Sequence, residues 1–332
     1  MAVNLPPQYH DAEAEYKKAK SPEDKLVALK KMWVILPKHK ASEKVQVILK
    51  TKISEVSDEI EQIKSGPKKQ APNSYKIPKQ GAGQIVFLGA PNTGKSRLLT
   101  RLTKASPEVA AYPFTTREPV PGMMDWEDVR LQLIDLPPIT DEFYEPFITD
   151  FTRQADAAAL ILDLADDDGP FALQTVIDKL RSYRRILVGQ PPADGNDDPT
   201  VFHLKTLLVA NKSDADGAAD RLEIAKEMLG DAFPVHVISA EKSEGLDTLK
   251  TLLFQRLDVM RIYGKLQGKP ADMTSPFTIP IGGDVMDFAE RVHADFAEGL
   301  KSAKVWGSAA FDGQTVKRDH VLRDKDVVEL SM

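Results

Sequence analysis

The sequence predicts an α/β protein built on a mostly parallel, six-stranded sheet, flanked by an N-terminal helical hairpin and a small C-terminal α+β domain. Two observations carry the sheet. Apolar runs alternate with helical stretches from about residue 85 to 260, the pattern of parallel strands covered by helices on both faces. The first run, Ile85-Val86-Phe87-Leu88, leads through a Gly-containing loop, Gly89-Ala90-Pro91-Asn92-Thr93-Gly94-Lys95-Ser96, into a helical stretch from Arg97 to Leu102. A third observation carries the flanks: heptad-like seams precede the alternating segment, and shorter elements follow it.

In chain order, Ser21-Pro22-Glu23-Asp24 reads as a helix start, with a Ser cap, Pro at the first position and acids in the first turn. Leu26, Leu29, Trp33 and Leu36 form its apolar seam, and Pro37 stops it. A second helix begins near Ser42, with Leu49, Ile53, Val56, Ile60 and Ile63 at spacings of four and three. Pro37-Lys38-His39-Lys40 gives this hairpin, residues 1–64, a basic tip. Residues 65–84 are Pro-, Gly- and Lys-rich without periodicity and read as a linker. Within residues 85–260 the strands are placed at Ile85–Leu88, Val129–Ile134, Ala158–Leu162, Thr206–Val209 and Val235–Ile238. Helices are placed at Phe171–Tyr183, Ala218–Leu229 and Leu246–Leu257. In residues 261–332, Phe277–Ile279 and Val327–Leu330 suit strands and Val285–Phe296 a helix.

Bulk properties limit the function classes. The 332 residues suffice for two or three domains and contain no cysteine, which excludes disulfides, thiolate metal sites and a cysteine nucleophile. No apolar run approaches the ~20 residues of a membrane span, so no membrane partner is expected. Met1–His10 lack the apolar core of a secretory signal, and the lack of cysteine makes a reducing cytoplasm the expected location. The six histidines show no metal-ligand spacing. Residues 1–80 hold 16 lysines against 10 acids, and the remainder 28 basic against 40 acidic residues. A basic arm on an acidic body suits an anionic partner such as RNA, or simply a solvated hairpin.

The loop Gly89–Ser96 has the residues of a phosphate cradle. Its backbone N–H groups and the following helix N-terminus attract anions, Lys95 reaches β- and γ-phosphates, and Ser96 ligates Mg²⁺. Arg97 follows as a further nucleotide-binding candidate. Asp135, ending a strand, suits the opposite side of that Mg²⁺, and a threonine of Tyr112-Pro113-Phe114-Thr115-Thr116 suits the remaining ligand position. Asn211-Lys212-Ser213-Asp214 follows another apolar strand. A carboxylate there accepts two hydrogen bonds from guanine N1–H and the 2-amino group, donors that adenine lacks. Asn211 would brace the loops, the Lys212 stem would lie over the base, and Ser239-Ala240-Glu241 would offer a backbone N–H to guanine O6. Asp214 therefore disfavours an ATPase.

Taken in order, Gly89–Ser96, Tyr112–Thr116, Asn211–Asp214 and the tail resemble a translation-factor-class GTPase, specifically the Obg superfamily and its DRG (developmentally regulated GTP-binding) branch. In the tail, Val292-His293-Ala294-Asp295-Phe296, Lys304-Val305-Trp306-Gly307 and Asp319-His320-Val321-Leu322 resemble a TGS domain. The resemblance implies a β-grasp fold there, GTP and GDP as ligands, Mg²⁺ as cofactor, ribosome or structured RNA as partner and a protein activator. It gives Lys95, Ser96, Thr116, Asp135, Asn211 and Asp214 their family roles, with Thr116 preferred over Thr115. Asn92 resembles the asparagine of GTPases that bind K⁺ beside the phosphates, where a cation stabilises transition-state charge; the alternative is a loop-bracing amide. Lys95, Thr116 and Asn92 are thus the catalytic candidates.

Two departures stand out. The family's Asp-x-Pro-Gly reads Asp135-Leu136-Pro137-Pro138 here, and proline lacks the N–H that binds the γ-phosphate. Ile139, which stands where Ras-like enzymes have a water-orienting glutamine, is not a third departure, because the resembled family is similarly hydrophobic there. The 76 residues between Asp135 and Asn211 leave little room for the subdomain that DRG proteins insert there. The expected function is a slow GTPase switch, with a GTP-binding adaptor of little hydrolysis as the alternative.

Overall fold

The computed structural model describes residues 6–19, 21–36, 43–64, 75, 77–103, 118–191, 198 and 200–331. Thr116, the Tyr112–Thr116 segment, the basic tip at 37–40 and most of the 65–84 stretch lie outside them. The chain forms two compact units. One comprises Met1–Tyr75, Leu180–Ile186 and Pro191–His203; the other Lys76–Lys179, Leu187–Gln190 and Leu204–Met332.

The first unit holds α1 (Pro7–Lys18), α2 (Pro22–Ile35) and α3 (Glu43–Lys64). As expected, the Ser21 side chain caps α2, accepting from the Asp24 N–H. Leu29, Met32 and Leu36 bury against Leu49, Ile53 and Val56 of α3. The sequence reading missed α1. Its Tyr9 and Ala12 fill the same core, but only a few apolar residues on a polar helix carry that face, too few to show as a period. Lys30 pairs with Asp198 at 3.3 Å, tying α2 to the polar stretch that precedes β6.

The large sheet is formed by β1 (Gln84–Leu88), β2 (Val120–Trp126), β3 (Val129–Asp135), β4 (Ala157–Asp163), β5 (Arg185–Val188), β6 (Phe202–Asn211) and β7 (Val235–Val237). The order is β2-β3-β1-β4-β6-β5, with β7 also beside β6. It has seven strands against the six expected. Pairs β3–β1, β1–β4, β4–β6 and β6–β7 are parallel, and β2–β3 is antiparallel. β2 escaped the sequence reading because Pro121 and Gly122 look like a break. It is an edge strand, where proline is tolerated. β1 and β4 are buried along their whole length, so these central strands read as continuous apolar runs. Helices α4 (Lys95–Leu102), α5 (Phe147–Gln154), α6 (Gly169–Ser182), α7 (Ala218–Leu229) and α8 (Leu246–Gln255) connect them.

The C-terminal sheet runs β11-β10-β12-β8-β9, from β8 (Val259–Gly264), β9 (Phe277–Pro280), β10 (Ser302–Trp306), β11 (Gln314–Val316) and β12 (Asp326–Ser331). β8 and β12 are parallel neighbours and β8–β9 a hairpin, the β-grasp arrangement. The single helix expected at 285–296 is α9 (Val285–Val292) and α10 (Ala294–Gly299), broken at His293. Asp284 and Asp287 form a capping box at α9. Arg261 joins this sheet to the β2–β3 turn. Its buried guanidinium pairs with Asp128 at 2.9 Å and Asp324 at 2.7 Å, contacts Glu127, and lies over Trp126. Burial opposes its charge, but the hydrogen bonds it donates to these acids outweigh that and hold the proton more tightly.

Candidate functional site

At the carboxyl ends of β1, β3, β4, β6 and β7 five loops converge. β1 is wholly buried and delivers the chain to Gly89. Gly94 caps α4 with φ 88°, a conformation glycine adopts without cost. A Cβ on Gly94 would also stand 2.5 Å from Asn211 Nδ2. The glycine therefore serves both backbone geometry and loop packing. α4 starts at Lys95, so its first-turn N–H groups have no intrahelical acceptors. Asn92 is left-handed, with φ 62°, at the crest of the loop with Ala90, Pro91 and Thr93. The Thr93 hydroxyl donates to Ala90 O at 3.2 Å and closes the turn.

Lys95 is buried and its ammonium donates to Gly89 O (3.0 Å) and Ala90 O (2.8 Å). Burial pulls its pKa down to about 8, with Asp135 opposing the shift. Ser96 Oγ donates to Asp135 Oδ2 at 2.5 Å. Burial raises the Asp135 pKa, which the Ser96 bond and Lys95 resist. Asp135 Oδ1 is buried with no hydrogen-bond partner among the described residues. A buried, unpaired carboxylate oxygen beside a serine hydroxyl is a hard oxygen donor set, and it fits Mg²⁺ held by one carboxylate, a hydroxyl and substrate phosphates. Thr116, the third expected ligand, lies outside the described residues.

The loops expected to read the base are braced to the Gly89–Ser96 loop. Asn211 Nδ2 donates to Thr93 O (2.9 Å), and its Oδ1 accepts the Ala240 N–H (3.0 Å). The Ala240 N–H thus helps to shape this loop. Ser239 Oγ donates to Asp214 Oδ1 at 2.6 Å, and this bond lowers the Asp214 pKa. The carboxylate is thus ionised and an acceptor. Lys212 pairs with Asp163. Arg97, expected to meet nucleotide, forms an ion pair with Glu241. Both belong to a strap between α4 and the base loop, to which Arg101 adds a contact with Glu241 O at 3.4 Å. Asp163 was missed by the sequence reading; its signal is an acid closing the apolar strand next to β6.

After Asp135 the chain turns through Leu136, Pro137 and Pro138 to Ile139. Leu136 and Ile139 are buried, and the Ile139 N–H donates to Gly89 O at 3.2 Å. The first amide after the two prolines is therefore bonded to the phosphate loop itself.

Residues 84–191 match the model of the 50S ribosome-binding GTPase family and residues 260–332 that of the TGS domain. Developmentally-regulated GTP-binding protein 1 of Xenopus laevis is 29% identical over 347 residues, spanning 88% of this chain and 94% of the relative. Over most of its length the chain is similar to the Obg/DRG-type GTPases. A GTP-binding protein of Methanocaldococcus jannaschii is 27% identical across 89% of this GTPase and 88% of the relative. Ribosome-interacting GTPase 1 of Saccharomyces cerevisiae is 25% identical, across 85% and 91%. The solved YchF GTPase of Schizosaccharomyces pombe shares the fold, with a TM-score of 0.54 at 12% identity over 77% of this GTPase and 100% of that chain. The GTPase-family match over residues 84–191 makes GTP and GDP its ligands. No helix among the described residues is long and apolar enough to cross a membrane.

Proposed function

We propose that this GTPase hydrolyses GTP to GDP and phosphate, slowly when alone, as a cytoplasmic switch that works with the ribosome or structured RNA. The observation that carries the reading is the Lys95–Ser96–Asp135 cluster with its unpaired Oδ1, beside a phosphate loop braced by Asn211. Water attacks the γ-phosphorus in line, the bond to the β-phosphate bridging oxygen breaks, and that oxygen leaves on GDP. Lys95, turning from the loop carbonyls, and the loop amides take up the charge that develops on the phosphate oxygens. Mg²⁺, held by Ser96, Asp135 and Thr116, supplies further neutralisation when bound. Asp214 reads the guanine edge, Lys212 covers the base plane, and Asn92 offers a K⁺ ligand beside the phosphates.

The adaptor reading keeps one specific observation. Pro137 and Pro138 present no N–H, and the Ile139 amide is bonded to Gly89, so this segment reads the γ-phosphate less directly than an Asp-x-Pro-Gly segment. The ribosome or RNA assignment is supported by the lysine-rich residues 1–80 and by the yeast relative's name. The test is GDP formation from Mg·GTP by the full chain, with and without ribosomes. GDP formed slowly alone and faster with ribosomes supports the switch. Bound GTP recovered intact in both arms sinks it in favour of the adaptor.

A further inference from the structure

We infer that Asp163 is a positioning residue for base recognition, acting through Lys212. The inference rests on the guanine-site reading above and deepens it. Asp163 closes β4 directly beside Asn211, the last residue of β6. Its carboxylate is buried and divides its two oxygens. Oδ1 accepts the Ala165 N–H at 2.8 Å, and Oδ2 stands 2.5 Å from Lys212 Nζ. The Leu164 N–H donates to Asn211 O at 3.0 Å, locking the two strand ends together. Lys212 itself has φ 64°, a left-handed backbone that a lysine keeps only where its surroundings hold it.

The two residues need each other. A buried carboxylate is costly without a partner, and the Lys212 ammonium is that partner. In return the pair fixes a long side chain. A free lysine carries about 2 kcal/mol of rotamer entropy, part of which is lost when its stem covers a base. Asp163 removes that freedom before nucleotide arrives and parks the charge at the rim, so the apolar stem is what faces the base plane.

A double-mutant cycle on Mg·GDP affinity in the full chain tests this. Asp163→Asn keeps the Ala165 acceptor and loses the charge; it is expected to weaken GDP about tenfold. In a Lys212→Met background the same substitution is expected to change affinity by less than about twofold. Inosine diphosphate should lose the same factor as GDP, because the lysine meets the base plane and not the 2-amino edge. A purely structural role for Asp163 gives an undiminished loss in the Lys212→Met background, and that result, or unchanged GDP affinity in Asp163→Asn, overturns the proposal. Should Asp163→Asn fail to fold, Asp163→Ser retains a side-chain acceptor and runs the same cycle. Asp214→Asn tests the underlying reading separately. A shift toward xanthine nucleotides with an additive cycle sinks the Asp163 role alone, whereas an unchanged guanine preference sinks both.

Discussion

Asp214, Asn211 and Lys212 at the base end of the site each hold a partner: Ser239, then Thr93 with Ala240, then Asp163. At the phosphate end Lys95 lies on two carbonyls of its own loop, and Asp135 keeps a buried oxygen with no partner among the described residues. The difference teaches how binding energy is divided. On the proposed assignment, base recognition is preorganised and should lose little entropy on binding. Phosphate and metal recognition would exchange internal bonds for ligand bonds, so it should depend on ionisation and on Mg²⁺.

The sharpest break of that comparison is Lys95→Ala. It removes the cation that moves from carbonyls to phosphate, and nucleoside triphosphate affinity should fall by about 100-fold or more. A titration showing under about tenfold loss would place the phosphate contact elsewhere. Asp135→Asn should cost about 10- to 100-fold in GTP affinity with Mg²⁺ present and little without it. Equal loss in chelator would deny the carboxylate its metal role. Asp214→Asn should exchange preference from guanine to xanthine, since an amide can donate where xanthine carries a 2-carbonyl. Competition binding that leaves guanine preferred contradicts the preorganised base end.

The pH dependence separates the two ends more gently. Lys95 has a folded pKa depressed from 10.5 to about 8, and triphosphate prefers the ammonium. Mg·GTP affinity should therefore be full below about 8 and fall as pH rises above it, by at most about tenfold per unit. The same shift makes the buried ammonium a cost to the ligand-free fold at neutral pH, relieved as pH rises from about 8 toward 10.5. Lys95→Ala should flatten the affinity profile; a profile that keeps its slope assigns the titration to another group. The smallest effect is expected from Glu241→Ala. It opens the exposed strap to Arg97 and should raise the nucleotide off-rate only a few-fold, less at high salt. A salt-independent change would show that the strap acts by packing and not by charge.

Much of this was legible in the sequence because local pattern and tertiary role coincide. Ile85–Leu88 is apolar throughout because β1 is covered on both faces, and Gly94 is glycine because Asn211 approaches it. Ala218–Leu229 was bounded in full, Gly217 and Gly230 flanking it in left-handed and non-helical conformations. What escaped depends on partners distant in the chain. Nothing near Arg97 announces Glu241, and nothing near Asp163 announces Lys212. Edge strand β2 hid behind Pro121 and Gly122, and α1 buries too few residues to show a period. Pro138 was legible as a departure, but only the structure shows the following Ile139 amide turned onto Gly89.

The account turns on whether bound GTP is consumed. The decisive measurement is single-turnover phosphate release from Mg·GTP, in K⁺ and in Na⁺ at equal ionic strength, with bound nucleotide quantified on the same sample. Slow release that is faster in K⁺ and loses that advantage in Asn92→Ala is the predicted result. Saturated GTP binding with no release in either salt, alone or with ribosomes, would contradict it.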